Sequence, residues 1–246
     1  MKFVLTPHIP TARVTHLFAN KNITAKIKSS LQNLGITPVY LSPSRFIDEP
    51  VASHPDMLAL HKSANRWAFY ESVYTDNKAK IDSLGLDVTL VPDSSSRGYP
   101  SEAGLNILSL GNNIFAGKTA SEFFPGENFN FIKVNQGYAK CSVCVVGENA
   151  AITADKGLHT AMTAAKIDSL LISPGNIAIE KYSCGFIGGA AALIDAKTLA
   201  ISGTIDHHPD KNSIEKFCRD RGVGIIYLSD ERVFDYGGFL PILQRN

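Results

Sequence analysis

Two cysteines, Cys141 and Cys184, are candidate nucleophiles because of their position in segments that lead into a strand and that also contain tyrosine and glycine. Cys141 follows Gly137-Tyr138-Ala139-Lys140, and Cys184 follows Tyr182-Ser183. A thiol attacks carbon as the thiolate, so its pKa must be lowered by a neighbouring cation or by a positively charged substrate. Lys140 adjoins Cys141, but adjacent residues on a strand point to opposite faces, which separates the two side chains. The alternative for each cysteine is a small, buried packing residue.

The stretch Ser53-His54-Pro55-Asp56 offers a second kind of chemistry. If it is extended, His54 and Asp56 share one face of a strand. A histidine in this position can transfer protons, and a carboxylate can bind a guanidinium or ammonium group. The alternative is a turn, in which an aspartate after proline is common.

A metal site is a further alternative, raised by the stretch Asp206-His207-His208-Pro209-Asp210. Imidazole and carboxylate groups are typical zinc ligands, so His54, Asp56, His207 and His208 together would suit a metal-assisted hydrolase. The simpler interpretation makes Asp206 to His208 a loop and Asp210 the N-cap of the following helix. We adopt the simpler interpretation and predict no metal and no cofactor, because the sequence also lacks a glycine-rich phosphate loop in a strand–helix context.

Composition excludes several classes of partner. The 246 residues carry a net charge of +1 without a basic or acidic block, so neither nucleic acid nor an anionic membrane is an expected partner. No apolar run reaches the length of a membrane span, and the first residues read as a strand and not as a signal peptide. We therefore expect a cytoplasmic protein whose four cysteines, Cys141, Cys144, Cys184 and Cys218, are free thiols. The Cys141–Cys144 pair lacks the second pair that a zinc site needs, and Cys218 reads as a core residue.

The elements that must position these residues follow a repeated order. From Cys141 to Ser173 the chain reads strand, turn, strand, helix, strand, with Asp155 at the N-cap position of the helix. The same order recurs in four other stretches of about 35–45 residues. These predicted units are Lys2–Ser42, Ala52–Pro92, Ala103–Asn135 and Cys184–Ser229, with a C-terminal tail, Val233–Leu243, that could pair back near the first unit.

Within these units the sequence predicts specific elements. The first unit begins with a strand at Lys2–Leu5, and the second has a strand at Met57–Leu60 and a helix at Asn77–Leu84. The third has only a weak helical turn at Thr119–Phe124. Five such ββαβ units without a low-complexity linker predict an α/β fold in which residues 1–246 form one five-fold ring. A generic α/β domain with unrelated hairpins is the alternative.

At this point the chain resembles the pentein fold, also called the guanidino-group-modifying enzyme fold. This family includes arginine and agmatine deiminases, dimethylarginine hydrolases and amidinotransferases, and also a non-catalytic ribosome anti-association factor. The segments His54–Met57, Gly137–Ser142 and Tyr236–Pro241 resemble most a bacterial branch of the fold whose function is unknown. The resemblance implies a five-bladed ββαβ propeller with a site on its central axis.

The resemblance also implies a mechanism, in which a cysteine attacks the guanidinium carbon, a histidine transfers protons and carboxylates hold the nitrogens. Catalytic penteins carry that cysteine near the C-terminus after two glycines, but here Phe239-Leu240-Pro241 follows Gly237-Gly238. The nucleophile must then be Cys141 or Cys184, or there is none.

The leading hypothesis is a cysteine-dependent hydrolase or transferase that acts on a guanidino- or amidino-type small molecule, with His54 as acid and base. We expect its substrate contacts from the segments that lead into the first strands of the units and from one loop: Asp56, Lys140, Tyr138, Arg97 and Asp206. A non-catalytic binding module and the metal-assisted hydrolase remain the alternatives. The sequence does not give the oligomeric state.

Overall fold

The computed structural model describes residues 1–94, 96–120 and 129–246. In these residues sixteen strands form five small sheets, in agreement with the predicted five-unit α/β propeller. The strands are Lys2–Phe3 (β1), Val14–Ala19 (β2), Thr37–Tyr40 (β3), Ala59–Ser63 (β4), Arg66–Tyr70 (β5), Asp87–Val91 (β6), Leu108–Leu110 (β7), Asn113–Ala116 (β8), Asn130–Lys133 (β9), Val143–Gly147 (β10), Ala150–Thr153 (β11), Asp168–Leu171 (β12), Ala191–Asp195 (β13), Thr198–Ile201 (β14), Gly224–Tyr227 (β15) and Leu240–Gln244 (β16).

The helices lie mainly between the second and third strands of the units. They are Ala25–Asn33 (α1), Pro55–Leu58 (α2), Glu71–Ser83 (α3), Lys156–Ala164 (α4) and Lys211–Arg219 (α5), with short 3₁₀ turns at Glu49–Val51 and Ser101–Ala103. In the sheets β4-β5-β6, β7-β8-β9, β10-β11-β12 and β13-β14-β15, the first pair of strands is antiparallel and the second pair is parallel. A parallel pair needs a crossover connection, and the helices α3, α4 and α5 supply it in three of these sheets. The weak turn predicted at Thr119–Phe124 extends beyond the described residues.

The first sheet is built differently from the prediction. Lys2–Leu5 was expected to be the inner strand, but β1 contains two residues and lies at the edge, in the order β1-β16-β2-β3. The C-terminal strand β16 takes the inner place and pairs antiparallel with β2, with Leu240 opposite Phe18. The physical reason is burial, because Leu240 and Ile242 are almost fully buried whereas Lys2 is exposed. The tail therefore pairs with the first unit, as the sequence suggested.

Two predicted boundaries in the second unit were wrong. The predicted strand at Met57–Leu60 begins at Ala59, because Pro55 starts the short helix α2 with His54 at its N-cap. Proline suits the first helical position, where no intrahelical bond is lost. Helix α3 begins six residues before the predicted Asn77, and its few buried positions, Val73, Asn77 and Ile81, explain the weak pattern. In the fourth unit the predicted N-cap is confirmed, since the Asp155 carboxylate accepts a hydrogen bond from Leu158 N at 2.8 Å.

Three apolar clusters join the units around the ring. One links the first three units and contains Phe18, Trp67 and Ile114. Another links the third, fourth and fifth units and contains Phe115, Leu158 and Leu193. The third returns from the fifth unit to the first, with Ile194 and Ala200 against Leu17 and Ile27. The core is thus shared between neighbouring units all the way round. No helix in the described parts of the chain is both long and apolar enough to cross a membrane.

Candidate active site

The five segments that lead into the inner strands meet at the ring axis. We call these the axial segments: 54–58, 102–107, 137–142, 185–190 and 235–239. Hydrogen bonds connect them in a closed circle, each one between neighbouring segments. The bonds are Asn106 Nδ2 to Asp56 O at 3.2 Å, Cys141 N to Asn106 Oδ1 at 3.0 Å, Lys140 Nζ to Gly188 O at 2.8 Å, Tyr236 N to Gly189 O at 3.0 Å and Asp56 N to Gly237 O at 3.3 Å.

Three reactive side chains from different axial segments converge inside this circle. The Cys141 Sγ lies 3.6 and 3.5 Å from the two carboxylate oxygens of Asp235. The His54 Nδ1 lies 3.8 Å from Asp235 Oδ1. All three residues are buried, and one ligand atom from each falls within 4.8 Å of the others. A thiol, an imidazole and a carboxylate in this arrangement can support nucleophilic catalysis.

Asp235 is the member of this cluster that the sequence did not identify. Its carboxylate accepts hydrogen bonds from Phe186 N at 2.8 Å and from Gly237 N at 2.9 Å, and the side chain is fully buried. Its position in the sequence could have identified it, since Asp235 precedes Gly237 in an axial segment equivalent to the segments that contain His54 and Cys141. The sequence favours Asp56 instead because that carboxylate lies two residues from a histidine.

The pKa of the Cys141 thiol is raised well above its ordinary value. Burial is the largest cause, followed by the negative charges of Asp235 and Asp56. The positive charge of Lys140 acts in the opposite direction and is the smaller influence. Without a ligand Cys141 is therefore a neutral thiol, which lies within reach of the Asp235 carboxylate.

Asp56 and Lys140 form a buried ion pair next to Cys141. The Lys140 Nζ lies 3.6 Å from Asp56 Oδ2. Asp56 does not lie on a strand as expected but in the first turn of α2. Both of its carboxylate oxygens are buried without a hydrogen-bond partner among the described residues, although the Cys141 thiol is close enough to affect its pKa. Burial raises the pKa of Asp56, and Lys140 opposes that shift.

A cavity of about 270 Å³ opens onto the cluster. His54, Cys141 and Asp235 contribute its polar groups, and the wall includes the predicted residues Tyr138 and Cys184. Cys184 is half-buried and does not belong to the group formed by His54, Cys141 and Asp235. The geometry therefore favours Cys141 over Cys184 as the nucleophile.

Tyr138 lines this cavity, but the other four predicted substrate contacts do not. Asp56 and Lys140 pair with each other next to Cys141 without lining the cavity, and Arg97 and Asp206 are exposed. Arg97 was assigned to the third axial segment, but that segment is 102–107, and the exposed Arg97 guanidinium donates to Arg45 O. The exposed Asp206 carboxylate pairs with Lys211 Nζ at 2.6 Å. Neither Arg97 nor Asp206 lines the cavity. The prediction for Arg97 rests on an alignment of tyrosine-containing segments, which places the third axial segment several residues too early. The prediction for Asp206 rests on the loop that also contains His207 and His208.

The histidines after β14 do not join His54 and Asp56. His207 Nε2 lies 2.9 Å from Asn176 O and accepts a hydrogen bond from Arg232, while His208 Nδ1 accepts from Asp210 N at 3.0 Å. Within residues 1–94, 96–120 and 129–246, the one group of three or more such side chains with metal-binding spacing is His54, Cys141 and Asp235. Asp210 occupies the N-cap position of α5, but its carboxylate accepts from Ser173 N.

Solved structures with a similar architecture include two amidinotransferases and an agmatine deiminase. An amidinotransferase from the saxitoxin biosynthetic pathway of Microseira wollei aligns over 98% of each chain, with a TM-score of 0.62 and 10% identity. The inosamine-phosphate amidinotransferase of Streptomyces griseus aligns over 100% of this chain and 98% of its own, with a TM-score of 0.61 and 8% identity. The agmatine deiminase of C. jejuni aligns over 91% of this chain and 90% of its own, with a TM-score of 0.54 and 7% identity. At these identities the likeness establishes the pentein fold.

Sequence comparison assigns the family. No curated protein matches the chain. A family model described as a family of unknown function, DUF6873, matches residues 18–240, which include all five axial segments. The chain therefore belongs to the family of unknown function DUF6873, and it has the pentein fold.

Proposed function

We propose that this protein is a cysteine-dependent hydrolase or transferase that acts on a small guanidine or amidine. The observation that carries the proposal is the convergence of Cys141, His54 and Asp235 at the floor of one cavity. The named enzymes with this fold are amidinotransferases and a deiminase, which supports the same class of substrate. In the proposal Cys141 is the nucleophile, His54 carries protons, and Asp235 and Asp56 stabilise the cationic substrate.

The reaction begins with proton transfer from the Cys141 thiol to His54. The thiolate then attacks the central carbon of the amidinium group, so that a C–S bond forms and one C–N π bond opens onto nitrogen. His54 returns the proton to the leaving amine, the C–N bond breaks, and the group remains on sulfur as a thiouronium or thioimidate. Water, or an acceptor amine in a transferase, adds to this carbon and gives a proton to His54. Cleavage of the C–S bond restores the thiolate, which takes the proton back.

A cationic substrate would lower the raised pKa of the Cys141 thiol. Burial and two carboxylates raise the pKa of Cys141, and a bound amidinium next to Asp235 offsets those negative charges. Ionisation of the thiol is then coupled to substrate binding. A non-catalytic binding module also predicts converging axial side chains, but it predicts a thiol that stays unreactive when a cation binds.

Alkylation by two reagents of similar size separates these hypotheses. 2-Chloroacetamidine is a cation at neutral pH, whereas 2-chloroacetamide is neutral. We expect the amidine to label Cys141 at least about tenfold faster than the amide does, relative to a free thiol, a ratio that corresponds to about 1.4 kcal/mol. Mass spectrometry of the digested protein identifies the labelled cysteine.

Three variants serve as controls in this experiment. Cys141→Ser should abolish the selective label, Cys184→Ser should retain it, and Asp235→Asn should remove the preference for the cation. Equal, slow labelling of Cys141 by both reagents would leave the binding module as the better description. Selective labelling of Cys184 would move the nucleophile to that residue.

The close approach of the three groups also favours one second candidate, a metal-assisted hydrolase. Thiolate, imidazole and carboxylate are all zinc ligands, and three protein ligands with an open position are typical of catalytic zinc sites. This set replaces the one that the sequence suggested, because His207 and His208 lie elsewhere. If the candidate is correct, the protein retains about one zinc per chain after dialysis, as elemental analysis would reveal, and Cys141→Ser loses it.

A further inference from the structure

The cavity above the reactive cluster has an apolar wall. Four aliphatic or aromatic side chains line it, from the 3₁₀ turn before α2, from α2 itself and from the segment that leads into β13: Val51, Met57, Ile179 and Phe186. Tyr138, Tyr182, Ser183 and Cys184 complete the wall. Polar groups are concentrated at the floor, where His54, Cys141 and Asp235 lie. A ligand therefore meets charge at one end and apolar surface along its body.

The two tyrosines present their rings to the cavity while their hydroxyls are already engaged. Tyr138 Oη donates to Glu102 Oε1 at 2.8 Å, and Tyr182 Oη donates to Asp48 Oδ2 at 2.5 Å. Burial and these carboxylates raise the pKa of both phenols, so they stay neutral at physiological pH. Their remaining contribution to a ligand is aromatic surface, which suits a flat apolar or cationic group.

No described residue supplies a cation to the cavity wall. None of the lining residues is lysine or arginine. Lys140, which precedes the lining residue Cys141, donates to Gly188 O and pairs with Asp56. Lys181, next to Tyr182, pairs with Glu49 at 2.7 Å. A carboxylate on the ligand would therefore lose its hydration without gaining a charged partner, which is costly.

The volume sets the size of the ligand. A dry cavity of about 150 Å³ is large enough for benzene. The cavity here, at about 270 Å³, accommodates an aromatic ring or a short branched alkyl chain together with an amidinium group.

We propose that the substrate is a guanidine or amidine with a compact apolar or aromatic substituent and without a carboxylate. This inference rests on the proposed function and adds specificity to it. The amidinium end binds Asp235 beside Cys141, and the substituent packs between the tyrosine rings and the aliphatic wall. Amino-acid guanidines, which carry a carboxylate, are poor ligands of this site.

A matched pair of ligands tests the inference. Benzamidine and 4-amidinobenzoate share the ring and the amidinium group and differ by one carboxylate. We expect benzamidine to protect Cys141 from 2-chloroacetamidine at a concentration at least about tenfold lower than 4-amidinobenzoate requires, which corresponds to about 1.4 kcal/mol. Direct titration calorimetry on the intact protein should give the same ratio.

A wall variant provides the reciprocal test. Ile179→Arg places a cation at the cavity wall and should reduce or reverse the preference for benzamidine over 4-amidinobenzoate. Ile179→Leu should retain that preference. Equal protection by the two ligands, or tighter binding of 4-amidinobenzoate to the unmodified protein, overturns the inference about specificity. It does so without affecting the proposed function, which depends on the preference of Cys141 for a cationic reagent over a neutral one. Loss of that preference overturns both.

Discussion

At the scale of single residues, Cys141 is a thiol whose surroundings oppose its ionisation. Two carboxylates and deep burial raise its pKa, and the ion pair between Lys140 and Asp56 limits how far the lysine can compensate. Under the proposed function, this thiol stays un-ionised until a cationic substrate binds, which protects it from unwanted alkylation and oxidation.

The first prediction concerns the charge of Asp235. Asp235→Asn removes a negative charge about 3.5 Å from the sulfur but keeps the shape of the side chain. We expect the pKa of Cys141 to fall by roughly 1–3 units. The rate of alkylation by a neutral reagent as a function of pH, followed at Cys141 by mass spectrometry, measures this shift. Cys218 is the internal reference, since burial raises its pKa to about 11 and Asp235 is not among the causes. A Cys141 profile that stays the same or moves to higher pH would contradict the prediction.

The sequence identified some of these residues and missed others for a physical reason. Cys141, His54 and Asp56 could be proposed from the sequence because the chemistry of each is visible within one short stretch. Asp235 could not be identified in the same way, because its place in the cluster depends on contacts with Phe186 and Cys141, which are distant in sequence. Arg97 illustrates the opposite error, since its charge attracted attention although it lies before the segment that reaches the axis.

At the scale of elements, the axial segments approach one another so closely that glycine is required. A β-carbon on Gly189 would lie 2.6 Å from Cys141 Sγ and would overlap the Asp235 carboxylate. In the sequence, Gly185, Gly188 and Gly189 lack the strand–helix context that a phosphate-binding loop needs. The structure gives Gly189 a different role, which is to leave space for the reactive cluster.

The second prediction follows from that contact. Gly189→Ala should displace Asp235 from Cys141, destabilise the fold by about 1–3 kcal/mol and remove the selective labelling of Cys141 by a cationic reagent. Urea unfolding and the alkylation ratio measure the two effects. Gly147→Ala is the matched control, because its added β-carbon would only touch Ala150 at 4.0 Å. If both variants keep the wild-type alkylation ratio, the geometry around Gly189 does not matter for the site.

The sequence predicted the order of elements better than their ends. The recurring order of strand, turn, strand, helix and strand could be predicted because local apolar patterns, and a glycine after several of the helices, mark these elements. Helix α2 escaped detection because it has four residues, all buried, and so carries no amphipathic pattern. The inner position of β16 could not be read from local pattern either, because it depends on a partner more than two hundred residues away.

At the scale of the whole molecule, folding buries several histidines and lowers the pKa of some of them, including His61 and His8. His61 stacks on Trp67 with ring centroids 4.4 Å apart, and burial lowers its pKa to about 4. Burial, followed by the charges of Lys140 and His61, also lowers the pKa of His8 well below its ordinary value. Between the ordinary histidine pKa near 6.5 and these lower values, the unfolded chain binds more protons than the folded one. Stability is therefore lost as the pH falls.

The third prediction isolates one of these histidines. The contribution of His61 to the free energy of unfolding should fall by roughly 2 kcal/mol as the pH is lowered from 7 to 5. His61→Phe keeps an aromatic ring against Trp67 but cannot bind a proton, so its free energy of unfolding should decline less over this interval. Urea titrations at both pH values measure the difference. Between pH 7 and pH 8 the two proteins should change in parallel, and identical slopes below pH 7 would show that His61 does not contribute.

The inner position of β16 implies that the fold tolerates circular permutation. Strands β1 and β16 put Lys2 directly opposite Gln244, so the two ends of the chain are neighbours on one sheet. A short linker there would produce a circular backbone that keeps all five sheets. Reopening that circle at the turn around Glu148 and Asn149, between β10 and β11, preserves every strand pairing. Such a permuted chain should unfold in urea with the same cooperativity as the original, because the strand pairings and the three apolar clusters shared between units are kept.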